Sequence, residues 1–338
     1  MLLWEDVVYY IDGRAWAIIV TAKANSSIPT RNKEVYKRLS EALGRRLKKE
    51  VALAPYTSFG IGGKADLFFR ATNPEELAFA IRTAQELQLR FFVLGGGSNV
   101  LISDSGLRGL VIRNECGKVL ISRNRVTCQS GAALSEVIKL ACQRSLSGLE
   151  FAAGIPGTVG GAVRGNAGAF GESVGEVLTS AVILAEKAEA KEVNNGFFGF
   201  GYRESRLKRT GDVLLSVTFE LKKQSKEEIE ERIKTNLEKR EENLPWQEKS
   251  AGCFFKNIIN GDKKISAGFL LDRAGAKGMR QGGAQVSTKH ANILINSGNA
   301  KAEDVKRLAR KLKMKVKQKF DIDLQEEVVY INSGFSRI

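Results

Sequence analysis

The chain has 338 residues, 43% apolar and 27% charged, which excludes a disordered protein and exceeds one ordinary core, so two or three compact units are expected. Its 53 Lys and Arg against 38 Asp and Glu leave a net charge of +15 and favour an anionic partner; no basic stripe interleaved with aromatics, helix-turn-helix or zinc-finger pattern occurs, which favours nucleotide-like ligands over polymers. Four scattered cysteines and one histidine argue against a disulfide scaffold, a zinc site or a Ser-His-Asp triad, and no metal is expected.

In chain order, MLLWEDVVYYIDGRAWAIIV carries Glu5, Asp6 and Asp12 and no basic start before an apolar core, unlike a secretory signal. Its apolar runs fall short of the roughly 20 residues that cross a bilayer, so a cytoplasmic protein with no membrane partner is expected. From 33 to 50, Val35, Leu39, Leu43 and Leu47 recur on one helical face. YTSFGIGGKADLFF (56–69) reads as a glycine-rich turn entering an apolar strand. In TNPEELAFAIRTAQELQ, Asn73 is a candidate N-cap, Pro74 takes the first helical position, and Glu75 and Glu76 suit the positive helix end. FFVLGGGSN follows, and strand, helix and strand make a small α/β unit. Between about 106 and 222, short strands (GLVIR, KVLI, RVTC, SAVILA, VLLSVTFEL) surround one helix near 134–145. Residues 225–243 read as a charged helix ending before Pro245, a linker into a third unit. That unit holds SAGCFFKN (250–257), a helix near 265–274, the strands GAQVS and ANILIN, a basic helix from 301 whose charges read as a solvated face, and a last strand, EEVVYI. No internal repeat is found.

Three stretches, SFGIGGKAD, LGGGSN and AGIPGTVGGAVRGNAGAFG, are glycine-rich. Glycine permits positive φ and close approach of main chain to a ligand, and successive N–H groups make an anion-binding concavity. The second stretch follows a strand, but Val100 stands where G-x-G-x-x-G needs its last glycine, so a Rossmann site is not supported, and nothing matches a P-loop. One such loop is most simply structural; three in a chain of 34 glycines point to a large anionic ligand wrapped by main chain.

In this order, YTSFGIGG, VLGGGSN, GLEFAAGIPGTVGGAVRGNAGAFGE, GFGYRES, SAGCFFKN, GGAQVSTKHANILIN and QEEVV make residues 40 to 331 closely resemble the UDP-N-acetylenolpyruvoylglucosamine reductases. These are flavin enzymes that make UDP-N-acetylmuramate for peptidoglycan. Only 74 residues separate Cys253 from Glu327, which leaves no room for the family's substrate-covering insertion and matches its shorter second type. The resemblance implies an α+β fold. An FAD-binding domain of the vanillyl-alcohol-oxidase (PCMH) type is expected over 33–222, in lobes of about 33–113 and 114–222, after an N-terminal extension over 1–32. A C-terminal α+β domain for the UDP-sugar is expected over 223–338, its last strand returning to the flavin site. FAD and NADPH are the implied cofactors, with UDP-N-acetylenolpyruvoylglucosamine as substrate and no nucleic acid. A monomer is expected. The chain departs from the family pattern at Gly60, Arg164–Gly165 and Gln325–Glu326.

By the same resemblance, FAD contacts fall on Tyr56, Thr57, Ile61, Gly62 and Gly63 in the first loop, and on Leu94, Gly95, Gly96, Gly97, Ser98 and Asn99 in the second. The third loop supplies Gly154, Ile155, Pro156 and Gly157, then Thr158, Gly160, Gly161, Val163 and Asn166. Hydride from FAD N5 to the enolpyruvyl double bond builds an enolate-like charge, which needs a prepositioned cation. Arg203 is assigned that role because its guanidinium presents a fixed fork to a carboxylate. Glu327 matches the family's catalytic carboxylate. Cys253 stands where many relatives have serine and is assigned the proton donation; an ordinary thiol, with a pKa of about 8.5, is mostly protonated near neutrality. Without the resemblance, Arg203 reads as a surface ion pair, Glu327 as a solvated strand end and Cys253 as a small buried hydrophobe. Tyr202, Lys256, Asn257, Gln285, His290 and Asn292 are implied to line the UDP-sugar and nicotinamide cleft, with Lys256 and Gln285 suited to a diphosphate. Two alternatives stand: another FAD-linked oxidase or dehydrogenase of the same fold, which SAGCFFKN and GGAQVSTKHAN oppose, and a basic nucleic-acid-binding protein.

Overall fold

In the computed structural model, residues 33–185, 189–260 and 263–334 are described; the expected N-terminal extension, 1–32, lies outside them. The helix expected over 33–50 stops early. It spans Lys33–Leu43, because Gly44 takes a left-handed φ of 66° that ends it, and Lys48–Ala52 is already a strand. Leu47 is buried all the same, from outside the helix.

The first unit is a four-stranded sheet in the order Lys48–Ala52, Lys64–Ala71, Leu107–Asn114, Phe91–Leu94, antiparallel at its first pair and parallel thereafter. Its central strands are apolar on both faces, as a sheet covered on both sides requires. Leu67, Phe69, Leu110 and Ile112 face the cluster that includes Leu77 and Ile81 of the helix Pro74–Glu86; Phe68 and Val111 face Leu53, Ile102, Val329 and Ile331. Asn73 caps that helix by accepting from the Glu76 N–H at 2.9 Å, and Glu76 returns by accepting from the Thr72 N–H.

The second unit is an antiparallel sheet in the order Ala190–Asn194, Leu178–Leu184, Val213–Glu220, Arg125–Gln129, Val119–Ser122. The helices Leu134–Gln143 and Val159–Gly165 pack their apolar sides on it around Phe151, Phe198 and Phe219. The third Gly-rich stretch is therefore partly helical. The charged segment expected to be a linker is the helix Lys226–Asn243, and it lies along this unit: Asn236 Nδ2 donates to the Glu150 carbonyl at 3.0 Å, and Ile229 is buried.

The third unit is a four-stranded antiparallel sheet, Ser250–Cys253, Ile293–Asn296, Ala284–Val286, Arg280–Gln281, covered by the helices Ala267–Arg273 and Ala302–Phe320. Val305, Leu308, Leu312 and Val316 form the buried stripe of the long helix, at helical spacing, and its basic residues stay outside. Phe59, Ile61 and Leu101 of the first unit lie in the same core, so the units share apolar contact. The last strand, Val329–Ile331, leaves the third unit and pairs in parallel with Val100–Ile102 of the first. Among the described residues no helix is long and apolar enough to cross a membrane.

Candidate active site

A cavity of about 860 Å³ opens where the three units meet. Two walls are main chain from the second and third Gly-rich stretches. Leu94 to Asn99 all border it, as do Gly154, Ile155, Pro156, Gly157, Thr158, Gly160, Gly161 and Asn166. The two loops touch: a Cβ on Gly96 would lie 2.6 Å from Gly157 Cα, so both must be free of side chains to run so close. Arg113 donates to the Gly95 carbonyl and holds the first of them from below. These walls suit a long anionic ligand with a flat apolar part, since they offer backbone amides and few competing side chains.

Several expected FAD contacts stand elsewhere. Tyr56, Thr57, Ile61, Gly62 and Gly63 do not border the cavity; they form a layer behind the Gly95–Asn99 loop. Thr57 Oγ1 donates to the carbonyls of Ala54 (3.1 Å) and Ile61 (3.0 Å), which closes the turn on itself, and Ile61 is buried in the third unit's core. Tyr56 packs on Phe68 with centroids 4.8 Å apart. A Cβ on Gly63 would meet the Asp104 carbonyl at 2.3 Å, and one on Gly97 would meet the Tyr56 carbonyl at 2.0 Å. Glycine in the first stretch thus answers close backbone packing, a demand that looks the same in sequence as ligand approach. Val163 is fully buried in the second unit's core because its helix turns that face inward.

Arg203, Cys253 and Glu327, from three distant parts of the chain, all border the cavity. Arg203 lies in a two-residue turn closed by reciprocal main-chain bonds between Gly201 and Glu204, each 3.1 Å. Cys253 ends the edge strand Ser250–Cys253. Glu327 is fixed beside it: its N–H donates to the Phe254 carbonyl at 2.8 Å, and its carbonyl accepts from Asn99 Nδ2 at 3.2 Å. Arg203 Nε and Glu327 Oε1 are 2.8 Å apart, and Arg203 Nη1 donates to the Gly168 carbonyl at 3.0 Å.

Burial pushes the Cys253 thiol up to about 11, with Glu327 adding to the rise and Arg203 and Arg240 opposing it. Cys253 is exposed to the cavity that it borders, so the rise comes from the protein packed around that opening. Desolvation and a neighbouring carboxylate both disfavour thiolate, so the thiol is a weaker acid than a free cysteine and stays protonated near neutrality. Glu327 is also held above the ordinary carboxylate range, by burial, against the pull of Arg203, Lys208 and Lys256.

Tyr202 and Asn257 border the cavity, and the Tyr202 hydroxyl accepts from the Asn257 N–H at 3.3 Å. The other residues expected in the substrate cleft do not. Lys256 Nζ lies 2.6 Å from Glu204 Oε1, an ion pair that turns it away from the cavity. Asn292 is buried and clamps the chain after Cys253, accepting from the Phe255 N–H at 2.9 Å and donating to the Phe255 carbonyl at 2.8 Å. His290 Nδ1 accepts from the Asn292 N–H at 3.2 Å, its pKa lowered by burial, and Gln285 sits in the sheet opposite Arg280 and Ile295. For Asn292 and His290, hydrogen bonds within the third unit set the orientation, whereas Lys256 is held by Glu204 of the neighbouring unit.

Sequence reasoning missed Arg240, Lys208 and Lys264, all on the cavity wall. Arg240 ends the helix read as a linker, donates to the Phe151 carbonyl at 3.4 Å, and has its pKa lowered, first by burial and then by Arg203. Its only signal was its place among the charges of that helix. No group of three or more His, Cys, Asp or Glu that could hold a metal occurs among the described residues.

Residues 244–331 match the model of the C-terminal domain of UDP-N-acetylenolpyruvoylglucosamine reductase, and residues 65–193 match an FAD binding domain. The UDP-N-acetylenolpyruvoylglucosamine reductase of Clostridium novyi is 37% identical over 297 residues, covering 87% of this chain and 95% of that one. That of Halalkalibacterium halodurans is 37% identical over 283 residues, covering 83% and 92%. The crystal structure of UDP-N-acetylenolpyruvylglucosamine reductase from Thermus caldophilus superposes with a TM-score of 0.72 at 34% identity, covering 84% of this chain and 98% of that one.

Proposed function

Since this chain belongs to the UDP-N-acetylenolpyruvoylglucosamine reductase family and is an FAD-containing oxidoreductase, we propose that it reduces UDP-N-acetylenolpyruvoylglucosamine to UDP-N-acetylmuramate, with NADPH as reductant, for peptidoglycan precursor synthesis. The observation that carries this reading is the convergence of Arg203, Cys253 and Glu327 on one cavity walled by two glycine loops.

FAD would lie along Gly95 to Asn99 and Gly154 to Asn166, and when bound it supplies hydride transfer from NADPH to the terminal enolpyruvyl carbon. The chain's own residues manage charge and one proton. Arg203 neutralises the negative charge that spreads onto the substrate carboxylate. Glu327, paired with Arg203 at 2.8 Å, fixes the direction of that guanidinium. Cys253, held almost wholly as the thiol, donates its proton to the carbon next to the carboxylate once charge has built there. Tyr202 and Asn257 border the opening and orient the UDP-sugar.

The test is to reduce the yellow protein without oxygen, add UDP-N-acetylenolpyruvoylglucosamine, and follow flavin absorbance. Rapid reoxidation with one equivalent of UDP-N-acetylmuramate formed is the expected result. Reoxidation by air alone, with the enolpyruvyl sugar unchanged, would overturn the assignment in favour of an oxidase.

A further inference from the structure

Arg203 has φ of 56°, the left-handed region that glycine and asparagine normally supply at the second corner of a tight turn. An arginine there carries backbone strain, which persists only where the surroundings over-determine it. Two anchors flank the turn. Asn166 Nδ2 donates to the Gly201 carbonyl at 2.9 Å before it, and Ser205 Oγ donates to the Arg164 carbonyl at 2.7 Å after it. Neither touches the peptide that carries the strain. That contact comes from Lys208, five residues on, whose Nζ donates to the carbonyl of Arg203 itself.

Lys208 is an unusual residue to bury, and here it is 5% exposed. Its ammonium sits closer to the Arg203 carbonyl than to the Glu204 carboxylate, which is 3.9 Å away and is engaged by Lys256 at 2.6 Å. A desolvated ammonium is costly, and an apolar side chain fills such a slot more cheaply unless the charge has a task. We propose that Lys208 is a positioning residue: by holding the Arg203 carbonyl it locks the strained Tyr202–Arg203 turn and aims the Arg203 guanidinium at Glu327 and the cavity. The inference rests on the reading of Arg203 given above. The Lys256–Glu204 pair completes the device by fastening the third unit, which carries Cys253, to the same turn.

The test is a double-mutant cycle on the holoenzyme, with Lys208→Met, Arg203→Lys and the pair, read by rapid mixing of reduced protein with UDP-N-acetylenolpyruvoylglucosamine. Acting through Arg203, Lys208→Met slows flavin reoxidation by about 10- to 100-fold alone but less than about threefold on top of Arg203→Lys. Flavin reduction by NADPH stays within about twofold, since that step builds no enolate-like charge for Arg203 to neutralise. Hydrogen exchange of the Gly201 and Glu204 amides, which close the turn, quickens about tenfold or more in Lys208→Met. Equal slowing in both backgrounds, or unchanged exchange, overturns the proposal. If Arg203→Lys alone is harmless, the reading of Arg203 falls and the exchange data still decide whether Lys208 locks the turn. Should Lys208→Met not accumulate as yellow protein, Lys208→Gln replaces it; if neither folds, Lys208 serves stability and the positioning role is rejected.

Discussion

A thiol pushed up to about 11 keeps its proton across the neutral range, so Cys253 needs no partner base to be ready as a donor. Cys253→Ala is expected to leave flavin reduction by NADPH within about twofold while slowing reoxidation by the enolpyruvyl substrate by at least about 100-fold, within the range for losing a general acid. Rapid-mixing absorbance separates the two steps, and equal loss in both would remove the donor role. Glu327 sets a second expectation. Its carboxyl lies above the ordinary 4.5 through burial, opposed by the charges that face it, Arg203, Lys208 and Lys256. The ion pair that aims Arg203 exists only while Glu327 is charged, so the reoxidation rate should fall as pH drops through a value above 4.5. Glu327→Gln should be slow throughout and lack that acid limb; a limb that survives would assign it to another group. Both residues were legible in the sequence through their motifs. Their acidities were not, because desolvation depends on what surrounds the cavity and not on neighbours in the chain.

The glycine loops divide by what presses on them. Gly97 has φ of 67°, and a Cβ there would sit 2.0 Å from the Tyr56 carbonyl. Gly97→Ala must therefore push the Gly95–Asn99 loop off the Tyr56–Gly63 layer, and the purified protein is expected to lose most of its flavin, read from the 450 to 280 nm absorbance ratio. Gly117→Ala is the control, since its nearest neighbour would be the Glu115 carbonyl at 3.7 Å. Full flavin content in Gly97→Ala would show that the loop tolerates displacement. At this scale the sequence was readable where one rule governs, as in the capped helix Pro74–Glu86. It was ambiguous where two demands share a residue type: the first Gly-rich stretch packs backbone on backbone, the second also borders the cavity, and both read as glycine turns. The helix Lys226–Asn243 misled for another reason. Only Ile229 of its side chains is fully buried, so its pattern is polar all round, and its attachment runs through Asn236 and Arg240 to main-chain carbonyls.

The cavity depends on a late segment of the chain returning to an early one. Glu327 reaches it on the segment leading to Val329–Ile331, which pairs with Val100–Ile102, 229 residues earlier, and no local pattern announces such a pairing. A second long-range tie holds the same units. Asp104, just beyond Val100–Ile102, accepts from the N–H groups of Ala302 (2.8 Å) and Glu303 (3.2 Å), capping the helix Ala302–Phe320 from another unit. Lys301, at the N-cap position itself, has no oxygen in its side chain, and Asp104 supplies the missing acceptor and a negative charge at the positive helix end. Asp104→Ala removes both, and by the scale of helix caps costs about 1 kcal/mol. For a chain of this size that lowers the thermal midpoint by about 2 °C. Because Phe59, Ile61 and Leu101 lie in the third unit's core, the units should still unfold together in one calorimetric transition. The loss should also appear as slower reoxidation by the enolpyruvyl substrate, with the reduction step spared, since Cys253 and Glu327 ride on the third unit while the glycine loops that would hold FAD do not. An unshifted midpoint would mean that the strand pairing and the shared core hold the units without help from the cap, whereas a split transition would mean that they cannot hold them once the cap is gone.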